Sequence, residues 1–162
     1  MNAKEMIMKR STTGRAFAIA AVTALALTVA PMAKADGKGC SNATLKGTFA
    51  DKDTGFLTAP PAMAGPFAGV TTQTYDGNGN ITAAGIVSLN GAIVAVAQKG
   101  TYTVNPDCTG TYTVQISPIG LTAHGFFVID DSGNELQIIV TDPGTVITCI
   151  ARRQYPMGDW RQ

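Results

Sequence analysis

Beyond residue 35 the chain is a succession of short β-branched runs broken by clusters of Gly, Asn, Asp and Pro. Such punctuation marks many short antiparallel strands. The runs predict strands near 44–50, 67–75, 81–89, 92–98, 100–104, 111–117, 121–130, 135–141 and 145–153. Between them, Asp76-Gly77-Asn78-Gly79-Asn80, Asn90-Gly91 and Asp131-Ser132-Gly133-Asn134 supply residues that tolerate positive φ. Residues 54–66 hold Pro60, Pro61 and Pro66 among small residues and read as a loop. No stretch in this region repeats its apolar residues at helical spacing, and Glu135 is its only glutamate. The fold class expected is all-β, in a single domain over 36–162.

Several runs are apolar on both faces. From Ile81 to Leu89, one face carries Ile81, Ala83, Gly85, Val87 and Leu89, while the other still carries Ala84 and Ile86. A sheet with one wet face alternates more cleanly than this. An antiparallel barrel of about eight strands accounts for the pattern and removes exposed edges; a β-sandwich is the alternative. The repeated Thr-Tyr-Thr-Val at 101–104 and 111–114 predicts a hairpin, with Tyr102 opposite Val114 and Val104 opposite Tyr112.

The first thirty-five residues differ in kind. Lys4, Lys9, Arg10 and Arg15 precede an uncharged run of fifteen residues, Ala16 to Ala30, and then Ala33-Lys34-Ala35. A positive start, a short apolar stretch and an Ala-x-Ala site make a secretory signal peptide over 1–35, helical in its apolar part. Fifteen apolar residues fall short of the roughly 20 that span a bilayer, so no stable membrane anchor is expected. The expected location is secreted or periplasmic. After removal of this segment, seven Lys/Arg face ten Asp/Glu, a net charge of −3. That balance excludes the basic footprint of a nucleic-acid binder.

A resemblance narrows the expectation. Cys40-Ser41-Asn42-Ala43-Thr44-Leu45-Lys46-Gly47, the 76–80 and 90–91 turns, Gly100–Gly110 and Thr141–Val146 together resemble secreted bacterial proteins with an allene oxide cyclase barrel-like domain. The resemblance implies an eight-stranded antiparallel barrel of the calycin type and lends no catalytic residue. Cys40 and Cys108 both fall within the resembling strings, which favours a Cys40–Cys108 disulfide, with Cys108–Cys149 the alternative pairing. Cys149 stands where the resemblance leads one to expect a small non-cysteine residue.

No catalytic, cofactor-binding or metal-binding motif emerges. Cys149 reads as a small core residue rather than a nucleophile. His124, the only histidine, shares a strand face with Phe126 and Val128 and is the candidate polar group for the lumen. The 76–80 segment starts like a calcium loop but lacks its glycine at position six and its glutamate at position twelve. The function expected is a small apolar ligand held in the lumen, or self-assembly as a homo-oligomer. The alternatives are a cyclase or isomerase on a hydrophobic substrate, with His124, Glu135 and the tyrosines as its polar groups, and a structural envelope protein.

Overall fold

A computed structural model describes residues 39–155. The signal-peptide reading of 1–35 lies outside the described residues. Eight strands follow one another: β1 (Gly47–Leu57), β2 (Gly65–Tyr75), β3 (Asn80–Leu89), β4 (Ala92–Val104), β5 (Thr109–Ser117), β6 (Leu121–Asp130), β7 (Glu135–Val140) and β8 (Thr145–Arg153). Each pairs antiparallel with the next, and β8 returns to β1 from Phe49↔Arg153 to Leu57↔Thr145. The sheet is a closed barrel, as expected, and the sandwich is excluded by that last ladder.

Three sequence expectations need correction. The runs 92–98 and 100–104 are one strand. Gly100 does not break it; Gly100 faces Val114, and a Cβ there would run into the Thr113 carbonyl oxygen. The glycine serves close approach between β4 and β5. Residues 54–57 belong to β1 and 65–66 to β2 rather than to a loop, because β1 runs on alongside β8 and β2 starts opposite its end. The hairpin register is displaced by two: Tyr102 faces Tyr112, and Val104 faces Gly110. The turn is short, with the Asn105 amide donating to the Thr109 carbonyl (2.8 Å), so Thr109 and Gly110 enter the ladder. Gly110 is required there because the Phe127 ring covers it.

Alternation sorts the side chains. Phe49, Tyr75, Ile81, Tyr102, Val114, Phe127, Leu136 and Ile147 point inward and are buried. Outward positions include Val70, Ile86, Ile93 and Val146, all well exposed, which explains the apolar second face seen in the sequence. Among the described residues no helix is long and apolar enough to cross a membrane.

One end of the barrel is sealed. The 3-10 turn Asn42–Leu45 lays Leu45 across it, fully buried. Tyr102 donates to the Asn42 carbonyl (2.9 Å), and Asn42 Oδ1 accepts from the Val104 amide (2.8 Å). Arg153 lies over the Phe49 ring, 4.5 Å from its centroid, and donates to the carbonyls of Thr44, Lys46 and Gly133. A guanidinium suits this place because its planar fork serves several acceptors while its face stacks on an aromatic ring. The Cys40–Cys108 disulfide fastens the turn's entry to the β4–β5 loop, and Cys149 is free. Such a bond suits an oxidising compartment.

The disulfide closes a loop of 68 residues, for which chain-entropy reasoning gives about 4 kcal/mol. Cys40→Ser/Cys108→Ser should therefore unfold at lower urea by roughly 2–4 kcal/mol, measured by chemical denaturation. No loss would show that the 3-10 turn holds the barrel end without the covalent bond.

Candidate functional site

Above the sealed end the lumen opens into a cavity of about 380 Å³. Its upper wall is apolar, built from Leu57, Phe67, Leu89, Ile116, Val140 and their neighbours. Its floor is polar and comes mainly from one strand. In β1 the inward positions run Phe49, Asp51, Asp53, Gly55, Leu57, so alternation delivers two carboxylates into the interior between apolar residues. Asp51 is only 3% exposed.

The neighbouring strands furnish their surroundings. Asp51 sits opposite Thr71 on β2 and Ala151 on β8; Asp53 sits opposite Gly69 and Cys149. A Cβ at Gly69 would lie 2.8 Å from Asp53 Oδ2, so the glycine makes room for that carboxylate. Gln73 Nε2 donates to Asp51 Oδ2 (2.8 Å), as does the Thr71 hydroxyl (3.3 Å). The Tyr75 hydroxyl donates in turn to Gln73 Oε1 (2.7 Å), which fixes the amide's orientation. Asp51 Oδ1, also buried, receives no donor from a neighbouring amide or hydroxyl, and its only polar neighbour of note is the Asp53 carboxyl. Buried polar atoms ordinarily have a hydrogen-bond partner, so this oxygen is the conspicuous open valence of the floor.

Burial pushes the Asp51 carboxyl up to about 8, reinforced by the charge and hydrogen bonding of Asp53 and only partly opposed by Thr71 and Gln73. Burial likewise raises the Cys149 thiol, and the two carboxylates raise it further. Tyr112, from β5, is raised mainly by burial and then by Cys149, Asp53 and Asp51. At neutral pH Asp51 is thus a carboxylic acid beside Asp53, flanked by a neutral thiol and a neutral phenol. Ligand atoms of Asp51, Asp53 and Cys149 all lie within 4.8 Å of one another, the one such trio among the described residues. Chemically the arrangement can accept hydrogen bonds, exchange a proton, or hold a cation.

The residues anticipated from sequence fall elsewhere. His124 does share a face with Phe126 and Val128, but that face is the outside; its side chain is 52% exposed. The phase was legible, the side was not, since both faces of β6 are apolar. His124 Nδ1 is paired with Asp142 Oδ1 (2.7 Å), and the His124 amide donates to Asp142 Oδ2 (2.7 Å). Asp142 itself lines the cavity mouth. Glu135 lies on the outward side of β7, paired with Arg152 at 2.6 Å. Asp76 closes the 76–80 hairpin by accepting from the Asn78 and Asn80 amides and from the Asn80 side chain, a turn rather than a calcium loop. Of the tyrosines, Tyr75 and Tyr112 reach the cavity. Cys149 is a buried residue as expected, yet it belongs to the cavity floor.

No family model, no curated protein and no solved structure matches this chain.

The raised Asp51 carboxyl has a defined consequence for stability. Its proton is retained in the folded state between about pH 4 and about pH 8 and lost in the unfolded state over that range. The unfolded chain then binds fewer protons, so stability falls as pH rises through this window. Asp51→Asn should flatten that slope and raise stability at pH 8 by at least about 1 kcal/mol, in urea titrations at several pH values. An unchanged slope would show that Asp51 is not the group held protonated.

Proposed function

We propose that this is an exported protein whose barrel lumen binds a small, predominantly apolar molecule with one polar group lodged at the Asp51–Asp53 floor. The observation that carries the reading is the cavity itself: about 380 Å³, apolar at the wall, with convergent polar groups at its closed end. Ligand sites of small barrels have this composition, a greasy enclosure with a few placed polar atoms. Export is part of the proposal, supported by the N-terminal pattern and by the Cys40–Cys108 bond. Kinship with the allene oxide cyclase barrel-like proteins is supported by the quoted strings and by an eight-stranded closed barrel.

A second reading, proton-transfer catalysis on such a molecule, draws on one specific feature. Two buried carboxyls that share a proton, one of them titrating near neutrality, can act as acid and base in the same turnover. An isomerisation by this pair would exchange solvent deuterium into the recovered ligand, visible by mass spectrometry.

Lumen binding is tested with a neutral apolar fluorophore such as N-phenyl-1-naphthylamine. It should bind with one site per chain and raise the melting temperature by mass action. Ala123→Trp places an indole at the cavity mouth and should weaken the dye about tenfold or more while the protein still melts cooperatively. Undiminished binding in that variant would move the dye to the outer surface and end the lumen reading.

A further inference from the structure

Resting on the lumen-binding reading, we propose a chemical class for its occupant: an organic amine, bound as the ammonium, with its cationic head on Asp51 and Asp53 and its apolar body along the wall. Three observations converge on this class. The first is the charge of the cavity. Asp51, Asp53 and Asp142 line it, and no Lys, Arg or His does, although His124 holds Asp142 from the outer side at the mouth. The Arg153 guanidinium is engaged at the sealed end by three carbonyls and the Phe49 ring. An enclosure of one sign with low-dielectric walls concentrates the opposite charge.

The second is the unpartnered oxygen. Asp51 Oδ2 takes both donors available to it, from Thr71 and Gln73, so once Oδ1 gives up the proton it holds toward Asp53 it is a buried acceptor with no donor. An ionised oxygen so placed is desolvated without compensation until a donor arrives. An ammonium brings three. Charge-assisted N–H···O bonds run about 2.8 Å, so one tetrahedral nitrogen serves two acceptors standing up to about 4.6 Å apart. The Asp51, Asp53 and Cys149 ligand atoms fall within a comparable span, 4.8 Å.

The third is the wall. Leu57, Phe67, Leu89, Ile116 and Val140 make most of it apolar, with Gln98, Thr122 and Thr145 as its few polar side chains, so the body of the ligand is mainly hydrocarbon or aromatic. A carboxylate or phosphate head would meet like charge on the floor. A metal ion fits less well. The trio lacks the imidazoles that zinc sites favour, and it would demand a thiolate beside two carboxylates.

Calorimetry on the purified protein near pH 8, with octylammonium, 1-octanol and octanoate as probes of one body and three heads, tests the assignment. Octylammonium should bind at least about tenfold tighter than 1-octanol, and octanoate more weakly than either. In Asp51→Asn/Asp53→Asn, checked for cooperative melting, the gap between amine and alcohol should close to within about threefold. Equal affinity for amine and alcohol in the native protein would overturn the ammonium assignment and leave lumen binding standing. Binding of none of the three, together with failure of the neutral dye, would remove both readings. Zinc ion alone displacing octylammonium, with that displacement lost in Cys149→Ala, would overturn the assignment in favour of a metal floor.

Discussion

The ladder between β1 and β8 is the constraint on which the rest of the molecule depends. It is the last pairing made in sequence order, and without it the strands would form an open sheet with two bare edges. Closure also determines which groups meet. Asp53 is set opposite Cys149, and Asp51 opposite Ala151, only because residues 49–57 lie in register with 145–153. The other flank of β1 supplies Thr71 and Gly69 at the same level. The floor of the cavity is therefore a property of the seam, assembled from strands far apart in the chain.

Two carboxylates inside a barrel are costly unless something offsets their desolvation. Part of the offset is visible: Gln73, held by Tyr75, and Thr71 satisfy one oxygen of Asp51. The remainder falls on protonation, which the raised Asp51 carboxyl expresses. Stability is conceded where a site needs unsaturated polar groups, a pattern common where structure serves chemistry rather than rigidity. The sealed end shows the opposite economy, with Arg153 and Tyr102 finding multiple partners each.

The barrel was legible because its signals are local: β-branched runs, turn residues at regular intervals, and apolar character on both strand faces. Where local reasoning failed, a long-range contact had decided the matter. Gly100 reads as a breaker until β5 passes close beside it. The Tyr102–Tyr112 register depended on Phe127 covering Gly110. The acidic floor escaped notice because β1 was ended at residue 50, one position before Asp51. The signal was nevertheless present, since Phe49, Asp51, Asp53 and Leu57 keep a period of two through the polar residues. His124 drew attention by being the sole histidine, a property of composition that carries no information about which side of a strand it occupies.

The sealing of one barrel end by Leu45 and Arg153 makes the lumen a blind tube. A molecule of the proposed kind would enter and leave by the same mouth, head first on the way in and tail first on the way out. Two molecules cannot pass one another inside, so exchange proceeds by departure before arrival, and a competitor cannot push an occupant through. Such a tube also grades its guests by length rather than by volume. The grading would stop at the mouth: a longer body would project into solvent with its head still seated, and elongation beyond that point would add little affinity.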